Sequence, residues 1–204
     1  ACEKSGVNDI CVVKGFKGEM IDEYLNGRCK TVLQTERLGT GHAVMQAVPF
    51  LKEDESGNTL VLNGDAPFID EETIKKSLEY HCENNNSVTV ITAELENPFG
   101  YGRIIRSENG ISGIVEQKDA TEEQRKIKEV NSGAYWFRTA DLIKLLDKIT
   151  CENVQKEYYL TDTISIAISE GKNAGAYKSE NADIIKGAND RKDLLNLNTY
   201  ARMM

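Results

Sequence analysis

The sequence predicts an α/β fold built on a mixed, mostly parallel sheet with helical crossovers, and three observations carry that prediction. Short apolar segments alternate with stretches of helical period through residues 1–95, the order that yields a parallel sheet with helices over its faces. Two glycine-bearing turns, Leu38-Gly-Thr-Gly-His-Ala-Val44 and Asn63-Gly-Asp-Ala-Pro67, sit at the ends of strand-like segments. After residue 95 the period shortens to two, which adds antiparallel strands to the sheet.

Taken in order, residues 9–14 read as a strand, 17–25 as a helix, 30–34 as a strand and 40–51 as a helix. Residues 60–62 form a short strand. A helix over 70–83 follows, with Glu71 and Glu72 placed to favour its amino end, and then a strand over 87–93. Residues 102–106 and 111–117 form a hairpin about the polar 107–110 turn. Next come a strand over 129–138, a helix over 141–149, and a helix over 161–169 entered from Tyr158-Tyr159-Leu160. A strand at 174–178, a stretch at 183–187 and a helix from Arg191 complete the order. Residues 1–6 read as the tail of a helix. The strand, phosphate-binding loop and helix that normally open such a sheet are missing, so the fold is expected to be N-terminally truncated.

At 204 residues the chain can bury one substantial core, and a single domain over 1–204 is expected. Its parts are an alternating portion over 1–95, a portion over 96–190 that gains antiparallel strands, and a terminal helix over 191–204. The 25 Lys and Arg against 33 Asp and Glu give a net charge of -8, which argues against nucleic-acid or anionic-membrane partners. Cys2, Cys11, Cys29, Cys82 and Cys151 form no Cys-x-x-Cys pair and are odd in number, the pattern of a reduced, cytoplasmic protein. No apolar run is long enough to span a bilayer and no signal segment opens the chain.

In the first turn Gly39 and Gly41 flank Thr40, so backbone N–H groups can approach a flat base or an anion closely. Gln34, at the end of the preceding strand, offers the donor and acceptor that suit the imide edge of a uracil. A glycine-rich helix start with no ligand is the competing reading. In the second turn Asp65 emerges at the carboxyl end of a strand, where open sheets keep their ligands. A carboxylate there can hold Mg²⁺ while the ion keeps waters and takes substrate phosphate oxygens, or it can simply cap a turn.

Further segments extend these two turns. They are Asn97-Pro-Phe-Gly-Tyr-Gly-Arg-Ile-Ile-Arg106, Gly113-Ile-Val-Glu-Gln-Lys-Asp-Ala-Thr121, Glu129-Val-Asn-Ser-Gly133, Glu157-Tyr-Tyr-Leu-Thr-Asp162 and Gly187-Ala-Asn-Asp-Arg191. Across essentially the whole chain and in the right order, the set resembles the pyrophosphorylase domain of bacterial bifunctional N-acetylglucosamine-1-phosphate uridylyltransferases. The resemblance implies a nucleotide-diphospho-sugar transferase (Rossmann-like) fold. It also implies a reaction in which UTP and N-acetylglucosamine 1-phosphate yield UDP-N-acetylglucosamine and pyrophosphate, for cell-envelope precursors. By it Gln34, Gly39 and Thr40 would contact the uracil, and Asp65 and Asn189 would hold Mg²⁺. Gly102, Glu116, Asn131, Tyr159 and Thr161 would line the amino-sugar pocket.

Several of these residues have plainer readings. Glu116 can pair with Arg103 across adjacent strands, Asn131 can satisfy a strand edge, and Asn189 can cap the helix before Arg191. Of Tyr158 and Tyr159 one packs and the other faces the site, because neighbours on an extended segment point to opposite sides. His42 and His81 read as helix-surface or packing residues and Lys118 as solvated. The signature loop of the resembled domain, leucine-alanine-alanine-glycine-x-glycine-threonine-arginine-methionine, and the proline-lysine pair after it are not in this sequence. No catalytic residue is therefore assigned, and little turnover is expected of the chain alone. Neither is the acetyltransferase β-helix of hexapeptide repeats present, and oligomers are expected only with it. Two other readings are transfer to a different sugar 1-phosphate and a non-catalytic nucleotide-sugar binder.

Overall fold

Where helices begin, and where they break, follows from residues with a clear local preference. The computed structural model describes residues 1–108, 110–188 and 190–203. The chain opens on a 3-10 turn, Glu3–Ser5, and then lays down β1 (Cys11–Lys14), α1 (Gly18–Leu25) and β2 (Lys30–Leu33). β1 and β2 pair in parallel, Cys11 opposite Lys30 and Lys14 opposite Leu33. The single helix expected over 40–51 is divided into α2 (Thr40–Gln46) and α3 (Val48–Leu51) at Ala47. Pro49 lies in the first turn of α3, where its missing N–H costs nothing, whereas inside a longer helix it would leave a carbonyl unpaired.

β3 (Asn58–Val61) starts two residues before the expected strand. α4 (Glu71–Glu83) matches the prediction closely, and Asp70 caps it by accepting from the Thr73 N–H at 2.6 Å. β4 (Val88–Glu94) and the hairpin of β5 (Arg103–Ser107) and β6 (Gly110–Val115) follow. α5 (Glu122–Arg125), which the sequence reading passed over, is a single turn held by a reciprocal cap between Thr121 and Gln124. The remaining elements are β7 (Glu129–Arg138), α6 (Thr139–Leu146), α7 (Asp162–Ser169), β8 (Ala174–Lys178), a second 3-10 turn at Ala182–Ile185, and α8 (Arg191–Ala201).

β3 to β8 form one six-stranded mixed sheet, running β6, β5, β7, β4, β8, with β3 also on β7. β3, β4, β5 and β8 point one way, and β7 and β6 run against them. Both faces are covered. Val88 and Val90 of β4 join a core with Tyr135, Phe137, Leu142 and Ile164, while Ile91 and Ala93 join a second with Ile74, Val130 and Trp136. β4 is buried on both faces because Val88, Val90, Ile91 and Ala93 are apolar and the two buried hydroxyls among them are bonded, Thr89 to His81 and Asn86 and Thr92 to Glu129. β1 and β2 form a separate sheet.

The ten-residue β7 is forked. Its carboxyl half pairs with β3, Tyr135 opposite Val61, whereas β5 meets it only near its amino end, Arg103 opposite Val130. Between these pairings β7 bulges: two steps along β4, from Val90 to Thr92, face four along β7, from Tyr135 to Asn131. Ser132 Oγ donates to the Ile91 carbonyl at 2.7 Å, and Asn131 Oδ1 accepts from the Gly133 N–H at 2.8 Å. Gly133 has φ +79°, and a Cβ there would collide with the Asn63 side-chain amide. Glycine is thus required twice, for its backbone and for the close approach. Asn63 and Gly102 both reach β7 at this fork, at Gly133 and Asn131.

Candidate functional site

The residues singled out by the sequence fall into three groups, each held by its own set of contacts. The first is the turn after β2. Gln34 Nε2 donates to the Gly39 carbonyl at 3.2 Å and lies 3.1 Å from His42 Nδ1, so both described bonds of this amide use its nitrogen and hold the carboxamide to the turn. His42 is in turn bonded to Gln46. It positions Gln34, a role beyond the packing expected of it. Gly39 has φ +105°, and a Cβ there would sit 2.7 Å from the Tyr158 carbonyl. That carbonyl accepts from the Gly41 N–H at 2.7 Å, and the Tyr158 N–H donates to the Leu38 carbonyl at 2.7 Å. Thr40 Oγ1 accepts from the Leu160 N–H at 3.1 Å. The glycines therefore serve a backbone clasp between residues 38–41 and 158–160 as well as any ligand.

The second group forms the far wall. Thr161 Oγ1 donates to Glu116 Oε1 at 3.2 Å. Gly102 is buried, and its carbonyl accepts from the Asn131 N–H at 2.9 Å; a Cβ on it would lie 3.4 Å from Glu116 Oε2. Gly102, Glu116, Asn131 and Thr161 are thus brought together. Burial, then the carboxylates of Asp119, Asp162 and Glu157, raise the Glu116 carboxyl above the usual range, against the lowering bond from Thr161. Burial and the Asp119 charge raise Asp162 as well. The alternative pairing of Glu116 with Arg103 is not formed. The Arg103 guanidinium turns to Gln117 Oε1 at 2.8 Å and to the Tyr101 carbonyl.

Tyr159 is 8% exposed, and its hydroxyl makes a long 3.5 Å bond to Asp119 Oδ2. Burial and then the carboxylates of Asp119, Glu116 and Glu157 push its phenol up to about 12. Tyr158 is half-buried, with its ring centroid 6.1 Å from that of His42. Tyr158 thus lies near His42 and Tyr159 against Asp119, and neither is fully open to solvent.

The third group surrounds Asp65, whose side is exposed at the end of β3. Its carbonyl accepts from the Ala188 N–H at 3.1 Å, and a Cβ on Gly187 would come within 3.1 Å of the same oxygen. Residues 187–188 therefore lie against Asp65. The expectation for Asn189 falls outside the described residues. The cap of α8, which the sequence reading allowed to Asn189, is Asp190, accepting from Lys192 and Asp193 N–H at 2.8 Å each.

Three residues at the site escaped the sequence reading. Tyr101 donates its hydroxyl to the Ile185 carbonyl at 3.2 Å and so ties residues 182–188 toward the cleft; burial and then the charges of Asp193 and Asp65 raise its phenol. Asn63 presses its amide on Gly133, and buried Tyr135 shares a hydrogen bond with the Asn131 side chain. Tyr101 and Asn63 each lie inside a quoted motif, which was the available signal. Tyr135 gave none, since an aromatic on a buried strand reads as core.

Residues 1–185 match the nucleotidyl transferase family. The protein from Acetivibrio thermocellus named bifunctional protein GlmU is 47% identical over 94% of this chain and 42% of its own length. Proteins of the same name from Streptococcus gordonii (45% identical, 93% of this chain, 41% of that protein) and Limosilactobacillus reuteri (43%, 98%, 44%) are similar. The chain spans about two fifths of the length of these curated relatives. Among solved structures, a candidate glucose-1-phosphate thymidylyltransferase from Bacillus anthracis, in complex with sucrose, shares the fold. It is 15% identical with a TM-score of 0.77, covering 100% of this chain and 80% of that one. The chain belongs to the nucleotidyl transferase family.

Proposed function

We propose that this member of the nucleotidyl transferase family moves a uridylyl group from UTP to N-acetylglucosamine 1-phosphate. The products are UDP-N-acetylglucosamine and pyrophosphate, made in the cytoplasm for cell-envelope precursors. The observation that carries the reading is the segment Tyr158 to Thr161. It bonds to the Leu38 to Gly41 turn at one end and to Glu116 at the other, so one short stretch adjoins both a base-sized turn and a hydroxyl-binding wall. The 43–47% identity to the GlmU proteins supports the same assignment.

On this reading residues 1–95 supply the nucleotide side and 96–190 the sugar side. Gln34, with its nitrogen held to the Gly39 turn, presents its oxygen to an imide N–H, and the backbone at Gly39 and Thr40 completes the edge. Glu116 accepts from a sugar hydroxyl and Asn131 from an amide N–H, with Gly102 leaving room and Tyr159 and Thr161 closing the pocket. The sugar phosphate oxygen forms a bond to the α-phosphorus in line as the bond to pyrophosphate breaks, so the residues chiefly orient two anions. The exposed Asp65 carboxylate is a hard oxygen donor. Among the described residues no group of three or more His, Cys, Asp or Glu forms a closed cage. Both features suit an ion that draws its other ligands from water and phosphate. Mg²⁺ at Asp65, with Asn189 as second ligand, would supply charge neutralisation for the two phosphates.

Calorimetric titration with UDP-N-acetylglucosamine and with UMP tests the reading. Glu116→Ala should weaken the nucleotide sugar roughly 10- to 100-fold, the worth of a hydrogen bond to a charged group, and leave UMP unchanged. Since the ionised carboxylate is the acceptor and its folded pKa is raised, sugar-dependent affinity should fall as pH drops through a midpoint above the ordinary glutamate range. Equal losses for both ligands would reject the assignment of the sugar wall.

A further inference from the structure

A carboxamide is nearly symmetric in shape. A half-turn about the last side-chain bond of a glutamine exchanges an acceptor for a donor with almost no change of volume. On Gln34 that exchange decides what a base meets. With the oxygen outward the side chain accepts from an imide N–H; with the nitrogen outward it donates to a ring nitrogen that carries a lone pair, as in cytosine. A glutamine that tells the two kinds of pyrimidine apart therefore needs neighbours that hold it one way up.

Two groups do so. The Gly39 carbonyl, 3.2 Å from the amide, can only accept, so the atom that faces it is Nε2. His42 Nδ1 lies 3.1 Å from the same nitrogen. Nε2 of Gln34 carries two protons; Gly39 takes one, and the other meets the ring, so Nδ1 offers a lone pair. A neutral imidazole has one proton to place, and it then sits on the ring's Nε2. Gln46, the ring's other neighbour, donates to the His42 carbonyl at 3.0 Å and so has an acceptor apart from the ring nitrogen, which it approaches at 3.3 Å. Gln34 Oε1 is left without a bond among the described residues, on a residue only half-buried. The frame around the amide is fixed as well. The Gln34 backbone N–H donates to the Lys14 carbonyl at 2.8 Å, and His42 lies in the first turn of α2.

We propose that His42 is the positioning residue that makes this chain select pyrimidines with an imide N–H over cytosine, because its Nδ1 lone pair, together with the Gly39 carbonyl, keeps the Gln34 amide from turning over. The inference rests on the reading of Gln34 as the base contact and supplies the reason that contact discriminates. Turning the amide over would set Oε1 against the Gly39 carbonyl and the Nδ1 lone pair at once, two acceptors facing an acceptor. It would also leave both of those groups without their donor. Removing the ring nitrogen leaves Gly39 alone to oppose the turn. The lock acts on the imide edge, so uracil and thymine fall in one class.

Calorimetric titration of the 204-residue chain and its variants with UMP and with CMP tests it. His42→Leu keeps bulk and removes the acceptor, and the ratio of UMP to CMP affinity should fall about 10-fold, the worth of one hydrogen bond whose loss leaves a donor unmatched. His42→Asn, whose Oδ1 stands near the place of Nδ1, should restore most of that ratio. Gln34→Leu should remove the discrimination altogether. On the unaltered chain, long-range proton–nitrogen correlation spectra at pH 8, above the ordinary histidine range, should show His42 protonated on Nε2 and bare on Nδ1. The chain has two histidines, and the His42→Asn spectrum separates the signals of His42 from those of His81. A ratio unchanged in His42→Leu but lost in Gln34→Leu would overturn the inference and leave the base contact standing. UMP binding that is absent, or untouched by Gln34→Leu, would overturn both. A ring proton on Nδ1, with Nε2 accepting from Gln46, would overturn the inference even if a variant misfolds.

Discussion

The two sheets are made of similar residues and differ in what surrounds them. β4, Val-Thr-Val-Ile-Thr-Ala-Glu, is paired along both edges and is buried through its first six residues. β1, Cys-Val-Val-Lys, has comparable β-forming side chains, yet it has a single ladder and none of its residues is fully buried. Strand propensity is therefore a weak guide to how firmly a strand is held; the number of paired edges and covered faces decides it. The division also runs through the cleft. Gly102, Glu116 and Asn131 stand on or beside strands of the larger sheet, whereas Gln34 follows the end of β2 and bonds to Lys14 of β1 through its backbone N–H. Rigidity is expected around Glu116 and Asn131 and local opening around Gln34.

The largest test of this contrast lies at the fork. Gly133→Ala forces a side chain into a positive-φ position and into the Asn63 amide, and should cost about 3 kcal/mol, from left-handed strain and overpacking together. Urea melts monitored by Trp136 fluorescence would register it, and an unchanged midpoint would show that the fork is not a fixed feature of the larger sheet.

His81 offers an effect that is smaller over any one pH unit. It is 1% exposed, its Nδ1 lies 2.9 Å from Thr89 Oγ1 and its Nε2 has no partner. Burial, and then the nearby Arg138 charge, lower its pKa to about 4. The unfolded chain binds this proton near the ordinary 6.5, so the stability it contributes is complete above that value and is lost as pH falls toward 4. The slope is about 1.4 kcal/mol per pH unit in that window. His81→Gln should flatten the profile between those limits, and an equally steep profile in the variant would place the acid sensitivity elsewhere.

The smallest effect sharpens the comparison most directly. Backbone amides of β1 and β2 should exchange 10-fold or more faster than those of β4 and β7, because opening one ladder exposes little apolar surface. Equal protection in the two sheets would mean that packing on α2 holds β1 as firmly as a second ladder would.

The sequence disclosed whatever depended on neighbours a few residues apart. Asp70 with Glu71 and Glu72 announced α4, and the polar turn at 107–110 announced the hairpin, in which Ser107 does face Gly110. The grouping of Gly102, Glu116, Asn131 and Thr161 was legible only through the resemblance, since no spacing rule joins positions so far apart. Hidden altogether were features set by distant partners. Nothing local distinguishes Gly133 as the apex of a bulge pressed by Asn63, or forecasts that β3 and β5 share one edge of β7. Pro49 was visible, but the helical pattern on either side of it masked the break at Ala47.

The interval from Tyr158 to Thr161 acts as a ruler. Its first residue is fixed by the Leu38 and Gly41 bonds and its last by Glu116. A residue inserted or deleted between them cannot be absorbed by a bulging loop, because either anchor would slip by one position, about 3.3 Å of extended chain. The length of this stretch is fixed, and natural or engineered changes in chain length belong elsewhere, as in the exposed turn at 53–57.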